Sequence, residues 1–234
     1  MLDFGFYNMD CLEGMKQFPD KYFDLAIVDP PYGGGGDADA GKTFKGALVG
    51  RFGGNFEKYF NTDKRGHMGG GHMKKFGYGH WDIAPTKEYF GELFRISKNQ
   101  IIFGGNYFEL PPTRCFIVWR KTNVPEKFSM AMCEYAWTSF NQNAKVVELS
   151  ATNQAGRFHP TQKPIALYEW LLNNYANDGD KIIDTHVGSA SSLIACRNTN
   201  HKYVGFEINK DYYRLASERL EKESAQMNIF DFIG

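Results

Sequence analysis

The sequence predicts an α/β protein built on a doubly wound, mostly parallel sheet, into which a long, basic, glycine-rich loop is inserted. Three observations carry that prediction. Strand-like and helix-like segments alternate along most of the 234 residues, the pattern of a sheet covered by helices on both sides. The segment YFDLAIV (22–28) is an almost unbroken apolar run, as expected of a strand buried on both faces. Near the C-terminus a strand, a glycine-bearing turn, a helix and a second strand follow in the order of a βαβ unit.

Taken in order, LDFGFY (2–7) reads as a short strand and CLEGMKQF (11–18) as a helix ended by Pro19. After YFDLAIV comes the stretch 33–83, rich in glycine and far longer than an ordinary connection, so it is a functional loop, a lid or an inserted element. Pro85 is placed as the first residue of a helix whose apolar face is Tyr89, Phe90, Leu93, Phe94 and Ile96. NQIIFGG (99–105), RCFIVWRK (114–121) and MAMCEYAWTSF (130–140) are further strand candidates, whereas 141–158 is polar and patternless. IALYEWLLNNYA (165–176) is an amphipathic helix and NDGD a turn. KIID (181–184) is a short strand opening into THVGSASS, with a helix through Arg197. KYVGFEI (202–208) is the next strand, and KDYYRLASERLEKESAQ (210–226) the closing amphipathic helix.

Apolar residues make up 42% of the chain and aromatics 16%, enough for a sizeable core and unlike a disordered composition. No apolar run approaches the roughly 20 residues that span a bilayer. The acids in MLDFGFYNMDCLEGM stand where a secretion signal needs bases, so the expected location is cytoplasmic, with no membrane partner. Cys11, Cys115, Cys133 and Cys196 are scattered, as expected of reduced thiols. The 27 basic and 27 acidic residues cancel, but unevenly. Between Lys42 and Lys75 stand eight bases (Lys42, Lys45, Arg51, Lys58, Lys64, Arg65, Lys74, Lys75) and two acids (Glu57, Asp63), which leaves the remainder acidic. Such a loop either steers an anionic partner to one face or is simply solvated by its lysines.

Residues 36–43, GDADAGKT, satisfy the phosphate-loop pattern G-x-x-x-x-G-K-[ST]. A true phosphate loop starts at a strand end and feeds a helix from its GKT. Here Asp29-Pro30-Pro31-Tyr32 intervenes, and TFKGALVGRFGG is too interrupted by glycine to be that helix. Asp37 and Asp39 would also sit among the amides that cradle phosphate, so the match is read as accidental. His67, His72 and His80 lack supporting cysteines, and no metal is expected.

The βαβ unit carries more chemistry. A turn of small residues lets a ligand approach the backbone, and Glu207 at the end of the second strand can accept hydrogen bonds from ribose hydroxyls. The G-x-G-x-x-G fingerprint is absent, and Asp184 ends the first strand inside the turn. A carboxylate there repels a pyrophosphate but suits a cation. That points away from a dinucleotide and toward an adenosine linked to a charged amino acid.

With DPPY at 29–32, the chain resembles the S-adenosylmethionine-dependent amino-methyltransferases of DNA, in the permuted class whose catalytic half precedes the cofactor half. HPTQKP (159–164) is very close to the segment preceding that family's cofactor motif. DTHVGSASS (184–192) stands where the family commonly has D-P-F-x-G-S-G-T-T, departing from it at Thr185, His186 and Ala190. The resemblance implies a single Rossmann-like methyltransferase domain over 1–234; within it the basic, aromatic-bearing stretch 33–83 is expected to be a DNA-contacting loop, with a dimerisation or lid element as the alternative, and 141–158 a short target-recognition segment. It implies S-adenosylmethionine as cofactor, held by Asp10, Cys11, Thr161, Lys163, Asp184, His186, Gly188, Ser189 and Glu207. Within that set Asp10 is expected at the adenine, Glu207 at the ribose, and Lys163 with Thr161 at the methionine carboxylate. Catalysis is expected at Asp29, Pro30, Pro31 and Tyr32.

The chemistry wants those residue types. The exocyclic nitrogen of adenine is a poor nucleophile because its lone pair is delocalised into the ring. A carboxylate at Asp29 and the carbonyl of Pro30 can each accept one amino hydrogen, which localises and aims the lone pair. The prolines stiffen the turn and Tyr32 can stack on the base, which must leave the duplex to arrive there. The expected reaction is methyl transfer to adenine N6 of double-stranded DNA, with the eight basic residues of the loop on the phosphates. Cytosine N4 and RNA adenine remain alternative targets. A non-catalytic nucleic-acid-binding domain is the alternative of another class. A cognate restriction endonuclease and a second copy of the chain are further candidate partners.

Overall fold

The structure, a computed structural model, describes residues 1–32, 83–127, 131–151, 158–159 and 161–231, with side chains of the last helix described to 223. The chain divides into two compact units, Met1–Pro30 with Thr86–Gly234, and Pro31–Pro85. Of the second, only 31–32 and 83–85 are described. The phosphate-loop match, the three loop histidines and all eight basic residues from Lys42 to Lys75 therefore lie outside the described residues. Every element below belongs to the first unit.

Among the described residues, eight strands form one sheet in the order β1-β8-β7-β2-β3-β5-β4-β6. They are β1 (Gly5–Tyr7), β2 (Phe23–Val28), β3 (Ser97–Phe103), β4 (Phe116–Lys121), β5 (Cys133–Thr138), β6 (Lys145–Leu149), β7 (Lys181–Asp184) and β8 (Lys202–Phe206). The five neighbours β1, β8, β7, β2 and β3 all run parallel, with Leu25 opposite both Asn99 of β3 and Ile182 of β7. β5 runs antiparallel between β3 and β4, and β6 pairs in parallel with β4 at the edge. The sheet is thus doubly wound and mostly parallel.

Strand β6 corrects the reading of 141–158 as patternless. Its sequence KVVEL buries only Val147, while Val146 is 62% exposed. One inward side chain on an edge strand leaves almost no alternation to read.

Burial explains why the strands look as they do. In β2, Leu25 and Ile27 join one core cluster and Ala26 and Val28 the other, so both faces are covered. One face receives α1 (Cys11–Met15) through Met15, and α2 (Lys87–Ile96) through Tyr89, Leu93 and Ile96. The other receives α3 (Ile165–Tyr175) through Leu167, Tyr168, Leu171, Leu172 and Tyr175, and α4 (Ser191–Asn198) through Ala195 and Cys196. Helix α5 (Lys210–Asp231) packs Ala216 and Leu220 against Leu193 and Ile194 of α4. Thr86, not the residue before it, caps α2, its hydroxyl accepting from the Tyr89 amide at 3.4 Å. Pro85 therefore lies just outside the helix rather than at its first position.

Candidate active site

The parallel strands deliver four carboxylates to one edge of the sheet. In sheet order, Asp10 follows β1, Glu207 follows β8, Asp184 ends β7 and Asp29 follows β2. Three inter-strand gaps of about 4.8 Å separate the first strand from the last, so the row spans about 14 Å. Ligands of open α/β sheets bind at this carboxyl edge.

Asp10 is also the N-cap of α1, where Oδ1 accepts from the amides of Leu12 at 2.9 Å and Glu13 at 3.1 Å. Next to it, the Asn8 side chain donates to the carbonyls of Glu207 at 2.7 Å and Ile208 at 3.2 Å, tying the β1 and β8 ends together. Glu207 accepts from the Gly188 amide at 2.9 Å and the Asn209 amide at 2.8 Å. Burial raises its carboxyl above the ordinary glutamate value against the pull of those amides. Gly188 sits at φ +54°, and a Cβ there would fall 3.2 Å from the His159 ring. The turn needs glycine for both reasons. Ala190 is also left-handed, at φ 62°, a conformation that costs an L-residue about 1–2 kcal/mol. This is the position where the resembled motif has glycine.

Asp184 is the most perturbed acid. Its Oδ1 accepts from the His186 amide at 2.9 Å and its Oδ2 from the Ser192 hydroxyl. Burial still pushes its carboxyl up to about 7, with the negative charges of Asp29 and Glu207 adding to the shift. The neighbouring departures from the family motif form a hydrogen-bonded chain. Tyr89 Oη meets Thr185 Oγ1 at 2.6 Å, which meets His186 Nδ1 at 2.9 Å, and His186 Nε2 lies 3.9 Å from Cys11 Sγ. Burial holds His186 down at about 4, so the ring is neutral at pH 7. Burial, then the charge of Asp10, pushes the Cys11 thiol up to about 12 and keeps it protonated. Ser189 is buried against the Ser191 hydroxyl at 3.2 Å, and Arg219 of α5 donates to its carbonyl at 2.7 Å.

At the far end of the row, Lys163 donates to Asp29 Oδ2. Its side chain is 4% exposed and that of Asp29 13%. A second carboxylate, Glu134 of β5, lies 3.2 Å from the same ammonium. Its Oε2 makes no aligned hydrogen bond, so this contact is an off-axis ion pair. Glu134 in turn receives Lys121 of β4 at 2.7 Å. Burial pulls the Lys163 ammonium down, but Asp29 and Glu134 outweigh it and hold it above the ordinary lysine value. Burial likewise pushes Glu134 up, and Lys163 and Lys121 overcome that and hold it low.

The structure therefore gathers Asp10, Cys11, Asp29, Lys163, Asp184, His186, Gly188, Ser189 and Glu207 at the carboxyl edge of the sheet. Thr161 is exposed, with its hydroxyl 3.2 Å from His159 Nδ1. Pro30 ends the first segment of the first unit, and Pro31 and Tyr32 belong to the second. Lys163 has two protein carboxylates as partners, where a single cofactor carboxylate was expected. Glu134 and Lys121 were not singled out in the sequence, and Tyr89 and Thr185 were named only as a helix-face residue and as a departure from the motif. The signal for Glu134 and Lys121 was slight: a lone acid within the apolar candidate MAMCEYAW, and one of three basic residues at the ends of RCFIVWRK. Among the described residues no three His, Cys, Asp or Glu side chains converge on a metal-binding geometry, and no helix is long and apolar enough to cross a membrane.

Comparison with known proteins agrees with this architecture. A DNA methylase family model, of the N6/N4 type, matches residues 84–218. The type II methyltransferase M.HpaI of Haemophilus parainfluenzae is 33% identical over 113 residues, 48% of this chain and 35% of that enzyme. The match thus spans about a third of that relative. YubD of Escherichia coli K12, described as a methylase, is 30% identical over 235 residues, covering 92% of this chain and 89% of YubD. Among solved structures, M1.HpyAVI in complex with S-adenosylmethionine superposes with a TM-score of 0.54 at 20% identity, covering 92% of this chain and 98% of the other. The family model takes in six of the eight strands, Lys163 and the whole Asp184–Glu207 unit, and on that match this chain belongs to the N6/N4 DNA methylases.

Proposed function

We propose that the chain is an S-adenosylmethionine-dependent DNA methyltransferase that modifies adenine at N6. The observation that carries this reading is the row Asp10–Glu207–Asp184–Asp29, joined to a family whose substrate is DNA. The row fits the donor. Asp184 is buried, pushed up to about 7, and feels two negative neighbours, so a cationic ligand placed there relieves the site. Glu207 presents its carboxylate at the β8 end, beside a glycine turn whose backbone is open to close approach. A nucleoside bearing a sulfonium and an amino-acid tail meets both demands, whereas a pyrophosphate meets neither. When bound, S-adenosylmethionine supplies an electrophilic methyl carbon.

The chain's own residues do the rest. Asp29 accepts one hydrogen of the target amine and the Pro30 carbonyl the other, turning the nitrogen lone pair toward the cofactor edge. The nitrogen would bond to the methyl carbon as that carbon's bond to sulfur breaks, the donor would leave as a neutral thioether, and the nitrogen's surplus proton would pass to solvent. The target base is extruded from the duplex, since neither acceptor can reach an amine inside the stack. Tyr32 is assigned to stacking on it. The eight basic residues between Lys42 and Lys75 are assigned to the phosphates, and DNA affinity should therefore fall with salt. Asp before Pro-Pro-Tyr favours adenine over cytosine. A paired restriction endonuclease is consistent with relatives named as type II methyltransferases.

The test is methyl transfer from labelled S-adenosylmethionine to genomic DNA, followed by digestion to nucleosides. N6-methyldeoxyadenosine is the expected product. N4-methyldeoxycytidine would move the target to cytosine, and no labelled nucleoside at all would refute the reading.

A further inference from the structure

The turn between β7 and α4 is built around an unfavourable residue. Ala190 is left-handed, at φ 62°, and its side chain is buried. It is also the N-cap of α4, where an alanine has no oxygen to accept from the first-turn amides. Strain and a missing cap both work against the backbone shape that sets the Gly188 amide on Glu207. Arg219 meets this turn from the neighbouring helix. By their spacing Ala216, Arg219 and Leu220 share one face of α5, and Ala216 and Leu220 belong to the apolar cluster that includes Val187 and Ala190. One terminal nitrogen of Arg219, Nη1, donates to the Ser189 carbonyl at 2.7 Å and to the Ser191 hydroxyl at 2.9 Å. Its two hydrogens thus fasten the residues on either side of Ala190. Among the described residues Arg219 forms no ion pair. Burial pulls its guanidinium below the ordinary arginine value, and the charge of Glu223, four residues on, offsets that only in part. The guanidinium is directed at the turn and not at an acid.

We propose that Arg219 is a positioning residue for the methyl donor: it clamps the β7–α4 turn in its binding shape against the backbone strain at Ala190. This rests on the function proposed above. The φ angle of Ala190 is a rotation against the planar Ser189–Ala190 peptide, and the Ser189 carbonyl lies in that plane. Pinning the carbonyl therefore fixes the plane, while pinning the Ser191 hydroxyl fixes the first residue of α4 on the other side. Because one nitrogen makes both bonds, the two anchor points are held at a set separation. Without the clamp, Ala190 returns toward the shapes an L-residue prefers, and only the left-handed fraction still presents Gly188 as folded. The strain of a left-handed alanine corresponds to about 5- to 30-fold in population. Apparent affinity falls by the same factor, since it scales with the competent fraction. A glycine at 190 carries no such strain and makes the clamp nearly dispensable.

The test uses the full chain and compares the effect of Arg219→Met in two backgrounds, the natural one and Ala190→Gly. Two quantities are read: the dissociation constant for S-adenosylmethionine by calorimetry, and amide hydrogen exchange at Gly188 and Ala190 in the protein alone. In the natural background Arg219→Met should weaken binding about 5- to 30-fold. In the Ala190→Gly background the same substitution should weaken it no more than about twofold, because the two turn shapes are then close in energy. Exchange at the two amides should quicken in Arg219→Met and return toward the wild-type rate in the double variant. Arg219→Lys, which keeps the charge and loses the planar fork, is a second arm and should show the same dependence on residue 190 more weakly. An equal loss of affinity in both backgrounds overturns the proposal, since the arginine would then act independently of the strain. Unchanged affinity in Arg219→Met overturns it too. So does a variant that unfolds more easily while its folded form binds and exchanges like wild type, which is the signature of a merely structural role. A wild type that takes up no S-adenosylmethionine is a different failure: the methyl-transfer reading falls, and the exchange rates alone then decide whether Arg219 clamps the turn.

Discussion

Replacing Asp184 by Asn should make the protein more stable and disable it at once. The side chain is 2% exposed, and its carboxyl is pushed from 3.8 up to about 7 by burial and by Asp29 and Glu207. A raised folded-state value means the folded protein holds this proton longer than the unfolded chain does. Stability from this group is therefore complete below about pH 4 and is lost as pH climbs to about 7. Three units at about 1.36 kcal/mol each set the loss at about 4 kcal/mol. Asn keeps an acceptor for the His186 amide and offers a donor to the Ser192 hydroxyl, so both contacts survive without the charge. Urea denaturation of the two proteins from pH 5.5 to 8 is the assay. The advantage of Asp184→Asn should grow by about 1.4 kcal/mol per pH unit up to pH 7 and level off above it. Calorimetry should show S-adenosylmethionine binding lost in the same variant. A stability difference that is flat with pH, or a variant less stable at pH 8, would refute the electrostatic account of this site.

Two further substitutions probe the same edge. Gly188→Ala forces a Cβ into the left-handed region and against the His159 ring; unfolding should show a loss of about 1–2 kcal/mol, with weaker cofactor binding by calorimetry. Glu207→Gln exchanges a charged acceptor of the Gly188 and Asn209 amides for one that can serve only one of them. Hydrogen bonds to charged groups are worth about 1.5–3 kcal/mol, so cofactor affinity should fall about 10- to 100-fold while turnover at saturating cofactor changes little.

The sheet was legible in the sequence where strands are buried on both faces or helices carry an apolar stripe. FDLAIV had to be central because, Asp24 apart, apolar residues fill both its odd and even positions, and both faces of β2 are indeed covered. The turn between β7 and α4 was legible because Gly188 and the two flanking acids have few other uses in that order. Strand β6 was hidden because an edge strand with one buried side chain leaves no period to detect. The partnership of Glu134 with Lys163 was hidden for another reason. The two residues are 29 apart, and what joins them is the placement of β5 between β3 and β4. Pairings across a sheet are properties of strand order, which sequence pattern does not state. Lys163 illustrates the same limit: its motif suggested an anionic partner, and the fold supplies two from within the chain.

The central claim is that Asp29 grips the target amine while the rest of the row holds the methyl donor, and Asp29→Asn separates these tasks in one experiment. Cofactor affinity by calorimetry and N6-methyldeoxyadenosine by mass spectrometry are measured on the same preparation. The account predicts near-normal affinity with product lost by at least about 100-fold. Product formation close to that of wild type would contradict it.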